Sequence, residues 1–161
     1  VVVWRNPRVV LRTPASLPDP FEPAAITRTR VPGPIRKVFP LREILPIVLR
    51  ARPQAISLEG ANPRHGHEWA VFKEIKLPED KILIPGVLDT TTNFIEHPEL
   101  VAQRIVRYAE VVGRERVIAG SDCGFGTFAR AAALVEPEIV WEKLRAMAEG
   151  ARLASRQLWR S

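Results

Sequence analysis

Residues 117–127 read VIAGSDCGFGT and contain Cys123, the single cysteine of the chain. The run begins as a short apolar segment and is broken by Asp122 and Gly124, which is typical of a buried strand that opens into a tight loop. In α/β folds, the loops that leave the carboxyl ends of parallel strands carry the functional groups. The pattern therefore predicts a strand over residues 117–120 and makes Cys123 a candidate site residue. The alternative is a small buried hydrophobe.

Strand-like and helix-like segments alternate on the amino-terminal side of this stretch. Short β-rich runs occupy residues 55–58 and 82–88, and helical spacing of apolar residues predicts helices over residues 41–52, 67–75, 98–112 and 137–158. Alternation of this kind favours parallel strands joined by right-handed crossovers. The predicted fold class is α/β, with about three parallel strands and four helices. A complete (β/α)8 barrel needs about 250 residues, so the pattern fits either a small open sheet or the carboxyl-terminal part of a barrel.

The first forty residues have a different texture. They hold eight of the fifteen prolines, and their seven basic and two acidic side chains account for +5 of the formal charge of +6. Proline removes backbone donors and interrupts regular structure, so only residues 1–4 or 9–11 are strand candidates here. We therefore divide the chain into an irregular basic segment, residues 1–40, and a partial barrel domain, residues 41–161.

Composition and charge exclude several classes of protein. A single cysteine makes no internal disulfide, and no apolar run reaches membrane-spanning length. The arginines of the head are scattered among prolines with few aromatic residues, which disfavours a nucleic-acid-binding arm. The sequence predicts a soluble cytoplasmic protein that binds neither membranes nor nucleic acid, and it leaves the oligomeric state open.

Each predicted strand is followed by an ionisable residue: Glu59, Asp89, and the pair Asp122 and Cys123. Parallel strands place their carboxyl ends at one rim of the sheet, so we expect these four side chains to lie at the same rim. Carboxylate and thiolate groups are both zinc ligands, and a rim of this composition is a candidate metal site. The alternative for each residue taken singly is a helix cap or a solvated loop group.

Two histidines, His65 and His67, also invite a metal-site interpretation. Pro63 and Gly66 place them in a loop or at a helix start, where side chains two residues apart diverge. Hydrogen-bonding and capping roles are therefore favoured over a shared metal ion. Four aromatic residues are predicted to lie in the core: Trp69, Phe72, Trp141 and Trp159.

Three segments together resemble one family. The segments are ISLEGANPR around Glu59, PGVLD ending at Asp89, and SDCGFGT around Cys123. In this order and rough spacing they resemble the end of the vitamin-B12-independent methionine synthase family, and are most similar to its shorter, single-barrel relatives. The resemblance covers about residues 33–159. It implies the carboxyl-terminal part of a (β/α)8 TIM barrel.

The resemblance also implies a zinc site and a reaction. Family members hold zinc with a His-x-Cys pair, a glutamate and a cysteine; Glu59 matches the glutamate and Cys123 the last cysteine. Asp89 and Asp122 are the implied catalytic residues. The implied reaction is methyl transfer from a small-molecule donor to a thiol, as in methionine biosynthesis from homocysteine and a methyltetrahydrofolate.

The sequence departs from the family at two places. The positions expected to hold the His-x-Cys pair are Ala25 and Thr27, neither of which binds zinc. Asp89 is followed by Thr90, where methionine synthases have a proton-handling histidine. We therefore expect an incomplete zinc site, a chain that is inactive alone, and a thiol or methyl donor that differs from those of methionine synthases. The alternative is a non-catalytic α/β fragment or interaction module.

Overall fold

A computed structural model describes residues 2–4, 39–125 and 135–159. The strand candidate at residues 9–11 and most of the basic head segment lie outside these ranges. Within them, four strands form one sheet in the order β1, β2, β3, β4. The strands are β1 (Val2–Trp4), β2 (Ala55–Leu58), β3 (Ile82–Leu88) and β4 (Gly120–Ser121), and the α-helices are α1 (Leu41–Val48), α2 (Pro98–Val112) and α3 (Pro137–Leu158).

Strands β2, β3 and β4 are parallel, as the alternation predicts, whereas β1 pairs antiparallel with β2. The register of β2 and β3 pairs Ile56 with Leu83, and both side chains are fully buried. Parallel pairing places the loops after β2, β3 and β4 at one edge of the sheet.

The third predicted strand is displaced. Regular pairing with β3 covers Gly120–Ser121 rather than residues 117–120, and Val117 makes only an isolated bridge to Leu83. The bridge of Leu83 to Val117 and the pair Gly86–Gly120 share one register, and Pro85 between them has no N–H to donate to the ladder. A register shift follows between Gly86 and Leu88. The backbone N–H of Asp122 donates to the Leu88 carbonyl at 2.9 Å, which carries the pairing to the edge of the loop.

Helices α2 and α3 have the predicted bounds. Both begin with proline at the first helical position, where the missing N–H costs nothing, and α2 ends at Gly113, whose φ of +99° favours glycine. They pack closely because Gly150 has no side chain. An added Cβ there would lie 2.5 Å from the Cβ of Val101.

Two other helices differ from the prediction. Helix α1 ends at Val48 instead of residue 52. It begins at Leu41, as predicted, and includes Pro46. The backbone N–H of Leu41 at its first position donates to Glu68 Oε1 at 2.8 Å, so a distant side chain satisfies the helix start. The segment predicted as a helix over residues 67–75 forms a 3₁₀ helix, Glu68–Lys73. Its short span between two loops suits the tighter helix.

The core consists of two clusters, and β3 and α2 contribute residues to both. One cluster contains Phe72 and Tyr108, whose rings meet edge to face with centroids 6.2 Å apart, and a second cluster joins β3 to α2 and α3. Phe72 is fully buried, as predicted, and Trp69 packs partly buried against the first cluster. The prediction for Trp141 and Trp159 is wrong: they are 67% and 52% exposed because both lie on the outward face of α3 or at its end. No helix within the described ranges is long and apolar enough to cross a membrane.

Candidate functional site

Glu59 and Cys123 lie side by side, although 64 residues separate them in the chain. The Cys123 thiol donates a hydrogen bond to Glu59 Oε1 at 3.0 Å. Glu59 follows β2 and Cys123 follows β4 with one residue between, so the two side chains meet across the end of β3. The structure thus brings together the two residues that the resemblance implies as zinc ligands.

Asp122 is buried and holds the loop that follows Glu59. Its Oδ1 accepts the backbone N–H groups of Gly60 and Ala61, and its Oδ2 accepts the backbone N–H and the side-chain amide of Asn62, all at 2.8–3.0 Å. Gly86 on β3 makes room for this carboxylate, since an added Cβ would overlap Oδ1 and lie 2.8 Å from the Asp122 Cα. The geometry gives Asp122 the task of fixing the loop.

The two oxygens of Glu59 have different neighbours. Oε1 accepts the thiol of Cys123, whereas Oε2 accepts the Asn62 amide at 2.9 Å and lies 3.4 Å from His65 Nε2. Burial opposes ionisation of Glu59, but the hydrogen bonds from Cys123 and Asn62 and the charge of His65 outweigh burial and lower its pKa. Glu59 is therefore a carboxylate at neutral pH.

The contact with Cys123 that helps to lower the pKa of Glu59 also helps to raise the pKa of the Cys123 thiol. Partial burial, the hydrogen bond to Glu59 and the negative charges of Glu59 and Asp122 raise the pKa of Cys123 to about 11 from 9.0. At neutral pH, Cys123 is a protonated thiol that donates to Glu59. A cation shared by the two side chains would take the place of that proton.

This shift predicts slow alkylation of Cys123. A thiol with a pKa near 11 has about a hundredfold less thiolate at pH 8 than one near 9, and its greater nucleophilicity recovers about tenfold, so iodoacetamide should react about tenfold more slowly than with an unperturbed thiol. Glu59→Gln removes the negative charge but leaves the partial burial of Cys123, which is the largest cause of the shift, so it should recover part of that rate. Mass spectrometry of the alkylated protein measures the rate. Glu79→Gln, which removes the charge of an exposed acid, is the control. Equal rates in the Glu59→Gln variant and the parent would contradict a role for Glu59 in the raised pKa.

Asp89 lies at the end of β3 but makes its side-chain hydrogen bonds within its own loop. Oδ1 accepts the backbone N–H and the hydroxyl of Thr91, and the Thr92 hydroxyl lies 3.5 Å from Oδ2. Among the described residues, no hydrogen bond links Asp89 to Glu59, Asp122 or Cys123. The structure places Asp89 at the same edge of the sheet as the other three residues and gives it different partners.

A buried ion pair holds the Asp89 loop against α3. Lys143 is fully buried, and its Nζ donates to Glu96 Oε2 at 2.8 Å and to the carbonyl of Phe94. Glu96 Oε1 in turn accepts the backbone N–H of Asp89 at 2.7 Å. Sequence reasoning missed this pair. The signal was available, because Lys143 is the one charged residue that falls, at helical spacing, within the apolar stripe running from Ile139 to Met147.

The two histidines have separate positions. His65 Nδ1 lies 2.7 Å from Glu68 Oε2, and its other ring nitrogen faces Glu59. His67 precedes the 3₁₀ helix, is exposed, and makes no side-chain capping bond there. The predicted hydrogen-bonding role thus describes His65, and the predicted cap at His67 does not form. Asn62 is the other site residue that sequence reasoning missed, although the Asn-Pro pair in the loop after β2 is a turn signal.

Two of the described side chains, Glu59 and Cys123, are of the types that can bind zinc. Cys123 Sγ and Glu59 Oε1 are close enough to share one ion. Zinc in proteins is held by at least three protein ligands, and no group of three or more His, Cys, Asp or Glu side chains suited to a metal ion occurs in residues 2–4, 39–125 and 135–159. Two side chains therefore fit zinc here, and a complete site needs further ligands.

Comparison with known proteins identifies a family and relatives of this chain. The family model described as "Cobalamin-independent synthase, Catalytic domain" matches residues 40–152. A 2-hydroxypropyl-CoM lyase from Xanthobacter autotrophicus (strain ATCC BAA-1158 / Py2) is 29% identical over 152 residues, which are 91% of this chain and 38% of that protein. The structure of a B12-independent methionine synthase from Shewanella sp. W3-18-1, in complex with selenomethionine, superimposes with a TM-score of 0.59 at 22% identity. This match covers 72% of this chain and 30% of that one, so the chain spans about a third of the length of these relatives.

Proposed function

We propose, from the premise that this chain belongs to the family of the cobalamin-independent synthase catalytic domain, that its strand-end site serves zinc-dependent methyl transfer to a small-molecule thiol. The observation that carries the proposal is the 3.0 Å contact between Cys123 Sγ and Glu59 Oε1 across the sheet. The fold agrees with it, since the chain has the fold of part of a methionine synthase barrel. The free thiol suits the reducing conditions of the cytoplasm.

Glu59 and Cys123 are the proposed zinc ligands in this chain. When bound, zinc lowers the pKa of a coordinated substrate thiol, and the resulting thiolate is the nucleophile. In the proposed transfer, a bond forms between substrate sulfur and the methyl carbon as the bond from that carbon to the donor breaks. The thiol proton is lost to solvent.

Asp122 and Asp89 have different proposed roles. Asp122 fixes the loop of residues 60–62 and thereby the direction of the Glu59 carboxylate, so it supports the site without touching substrate. Asp89 is the proposed substrate-facing carboxylate, held by Thr91 and by Glu96. Thr90 is buried and stands where methionine synthases place a histidine, which favours a thiol or methyl donor different from theirs.

Metal titration of the protein tests the ligand assignment. We expect weak zinc binding that strengthens as the pH rises toward the thiol pKa, because Cys123 must lose its proton to bind. Cys123→Ser and Glu59→Gln should each weaken binding by more than about tenfold, since each removes a direct ligand. Asp80→Asn, at an exposed acid, is the control. Equal zinc content in the parent and Cys123→Ser would remove Cys123 as a ligand.

A second candidate reaction follows from the curated relative, whose name describes a lyase acting on 2-hydroxypropyl-CoM. The threonines after Asp89 leave room for it, because they stand in place of the histidine that the resemblance to methionine synthases implies. Parallel assays of methyl transfer to several thiols and of thioether cleavage distinguish the two reactions. Turnover of thioethers alone would reject methyl transfer.

A non-catalytic interaction module is the third candidate. Phe94 and Trp141 are 82% and 67% exposed, which is unusual for large hydrophobic side chains and typical of a contact surface. If this candidate is correct, neither assay gives turnover with added zinc, and Cys123→Ser leaves the behaviour of the protein unchanged.

A further inference from the structure

We propose that His65 is a positioning residue: held by Glu68, it directs the Glu59 carboxylate so that Oε1 faces Cys123 and stays open to a shared ligand. The inference deepens the proposed function insofar as that ligand is a metal ion. It begins from the asymmetry of the Glu59 carboxylate. Among the described residues, its nitrogen neighbours Asn62 Nδ2, at 2.9 Å, and His65 Nε2, at 3.4 Å, lie at Oε2, and the thiol alone lies at Oε1.

Two separate routes of contacts converge on Oε2. The first runs from Asp122 through Asn62, whose amide donates to both carboxylates. The second runs from Glu68 through the imidazole of His65. Because Asn62 donates to Oε2 and His65 contacts the same oxygen from another side, the Glu59 carboxylate has little freedom to rotate. The other oxygen is thereby kept pointing in one direction.

Glu68 is a rigid support for the second route. Its side chain is only 9% exposed, Oε2 contacts His65 Nδ1 at 2.7 Å, and Oε1 accepts the backbone N–H of Leu41 at the start of α1. The contact between Glu68 and Nδ1 orients the imidazole ring with Nε2 toward Glu59 Oε2. The start of α1 is thus connected through Glu68 and His65 to the site.

His67 provides a matched control two residues away. It has the same side chain, but it is exposed and makes no side-chain bond at the start of the 3₁₀ helix. Substituting His67 removes the same kind of side chain from the same loop and leaves the contacts of Glu59 in place. A difference between the two variants therefore reports the position of the imidazole.

The first test is cobalt(II) binding to the parent and to His65→Ala, His67→Ala and Glu68→Gln, followed by the thiolate-to-cobalt absorption band. We expect His65→Ala to weaken cobalt binding about 10- to 100-fold, Glu68→Gln to weaken it in the same direction, and His67→Ala to change it less than about twofold. Glu68→Gln preserves side-chain volume and serves if His65→Ala does not fold. In a Glu59→Gln background, His65→Ala should have no further effect, because the imidazole acts through Glu59. An equal loss in both backgrounds would overturn the proposal.

The second test needs no metal. Crystal structures of metal-free parent, His65→Ala and His67→Ala give the separation between Glu59 Oε1 and Cys123 Sγ, which is 3.0 Å in the parent. We expect the two atoms to move out of hydrogen-bonding reach in His65→Ala only. An unchanged separation would refute positioning by His65. If the parent binds no cobalt, the zinc-dependent function fails, and this separation still decides the role of His65.

Discussion

Asp122→Asn should lower the free energy of unfolding by about 3 kcal/mol, because whichever oxygen becomes the amide nitrogen, two buried N–H donors lose their acceptor. The substitution is isosteric, so no cavity contributes to the loss. The charge that strengthens the remaining hydrogen bonds is lost as well. Urea denaturation followed by circular dichroism measures the change.

Asp89→Asn is the matched control for this prediction. It makes the same chemical change after the neighbouring strand, but its side-chain partners include the exposed Thr91 and the half-buried Thr92. Solvent replaces such partners at little cost, so we expect a loss below about 1 kcal/mol. If the two variants are equally stable, the loop of residues 60–62 does not depend on Asp122.

Lys143→Met should lower the free energy of unfolding by about 3 kcal/mol, since it removes the nearer of the two cations beside the buried Glu96 carboxylate and leaves only Arg104, at 4.0 Å, among the described residues. The Phe94 carbonyl loses a donor at the same time. Arg145→Met is the control, because Arg145 pairs with Glu142 on the exposed side of the same helix, where ion pairs contribute little. Thermal and urea unfolding of both variants give the comparison.

A double variant separates the charge from the packing. Glu96→Gln removes the carboxylate, so Lys143→Met combined with Glu96→Gln should be more stable than Lys143→Met alone. Glu96 also accepts the backbone N–H of Asp89, so Lys143→Met should increase hydrogen exchange in residues 89–96. No gain from the second substitution would show that the loss comes from packing around Lys143.

Local patterns predicted the elements whose ends carry their own signals. Helices α2 and α3 begin at proline, and α2 ends at a glycine with positive φ, so their bounds follow from the sequence. The segment at residues 67–75 and the strand before Cys123 were predicted less well. The first forms a six-residue 3₁₀ helix between two loops. The second pairs regularly only at Gly120–Ser121, because Pro85 in its partner strand has no N–H to donate.

Predictions about burial depend on what covers a side chain. Trp141 and Trp159 have the composition of core residues, yet they lie on a helix surface that the described residues leave uncovered. Lys143 has the composition of a surface residue and is fully buried, because Glu96 and the Phe94 carbonyl satisfy its charge. In both cases burial depends on residues from distant parts of the chain, so the local periodicity of apolar residues does not predict it.

The sequence by itself determined the parallel α/β order and the presence of four ionisable residues at strand ends, because apolar periodicity and turn residues are local properties. The family was indicated by the resemblance of three short motifs. The four strand-end residues are Glu59, Asp89, Asp122 and Cys123. The tertiary structure alone decided which of these side chains meet. It brings Cys123 Sγ to 3.0 Å from Glu59 Oε1, turns Asp122 toward the backbone of residues 60–62, and leaves Asp89 in its own loop. The physical reason is register, since a shift of one residue in a strand reverses the direction of every side chain, and register is set by pairing across the whole sheet.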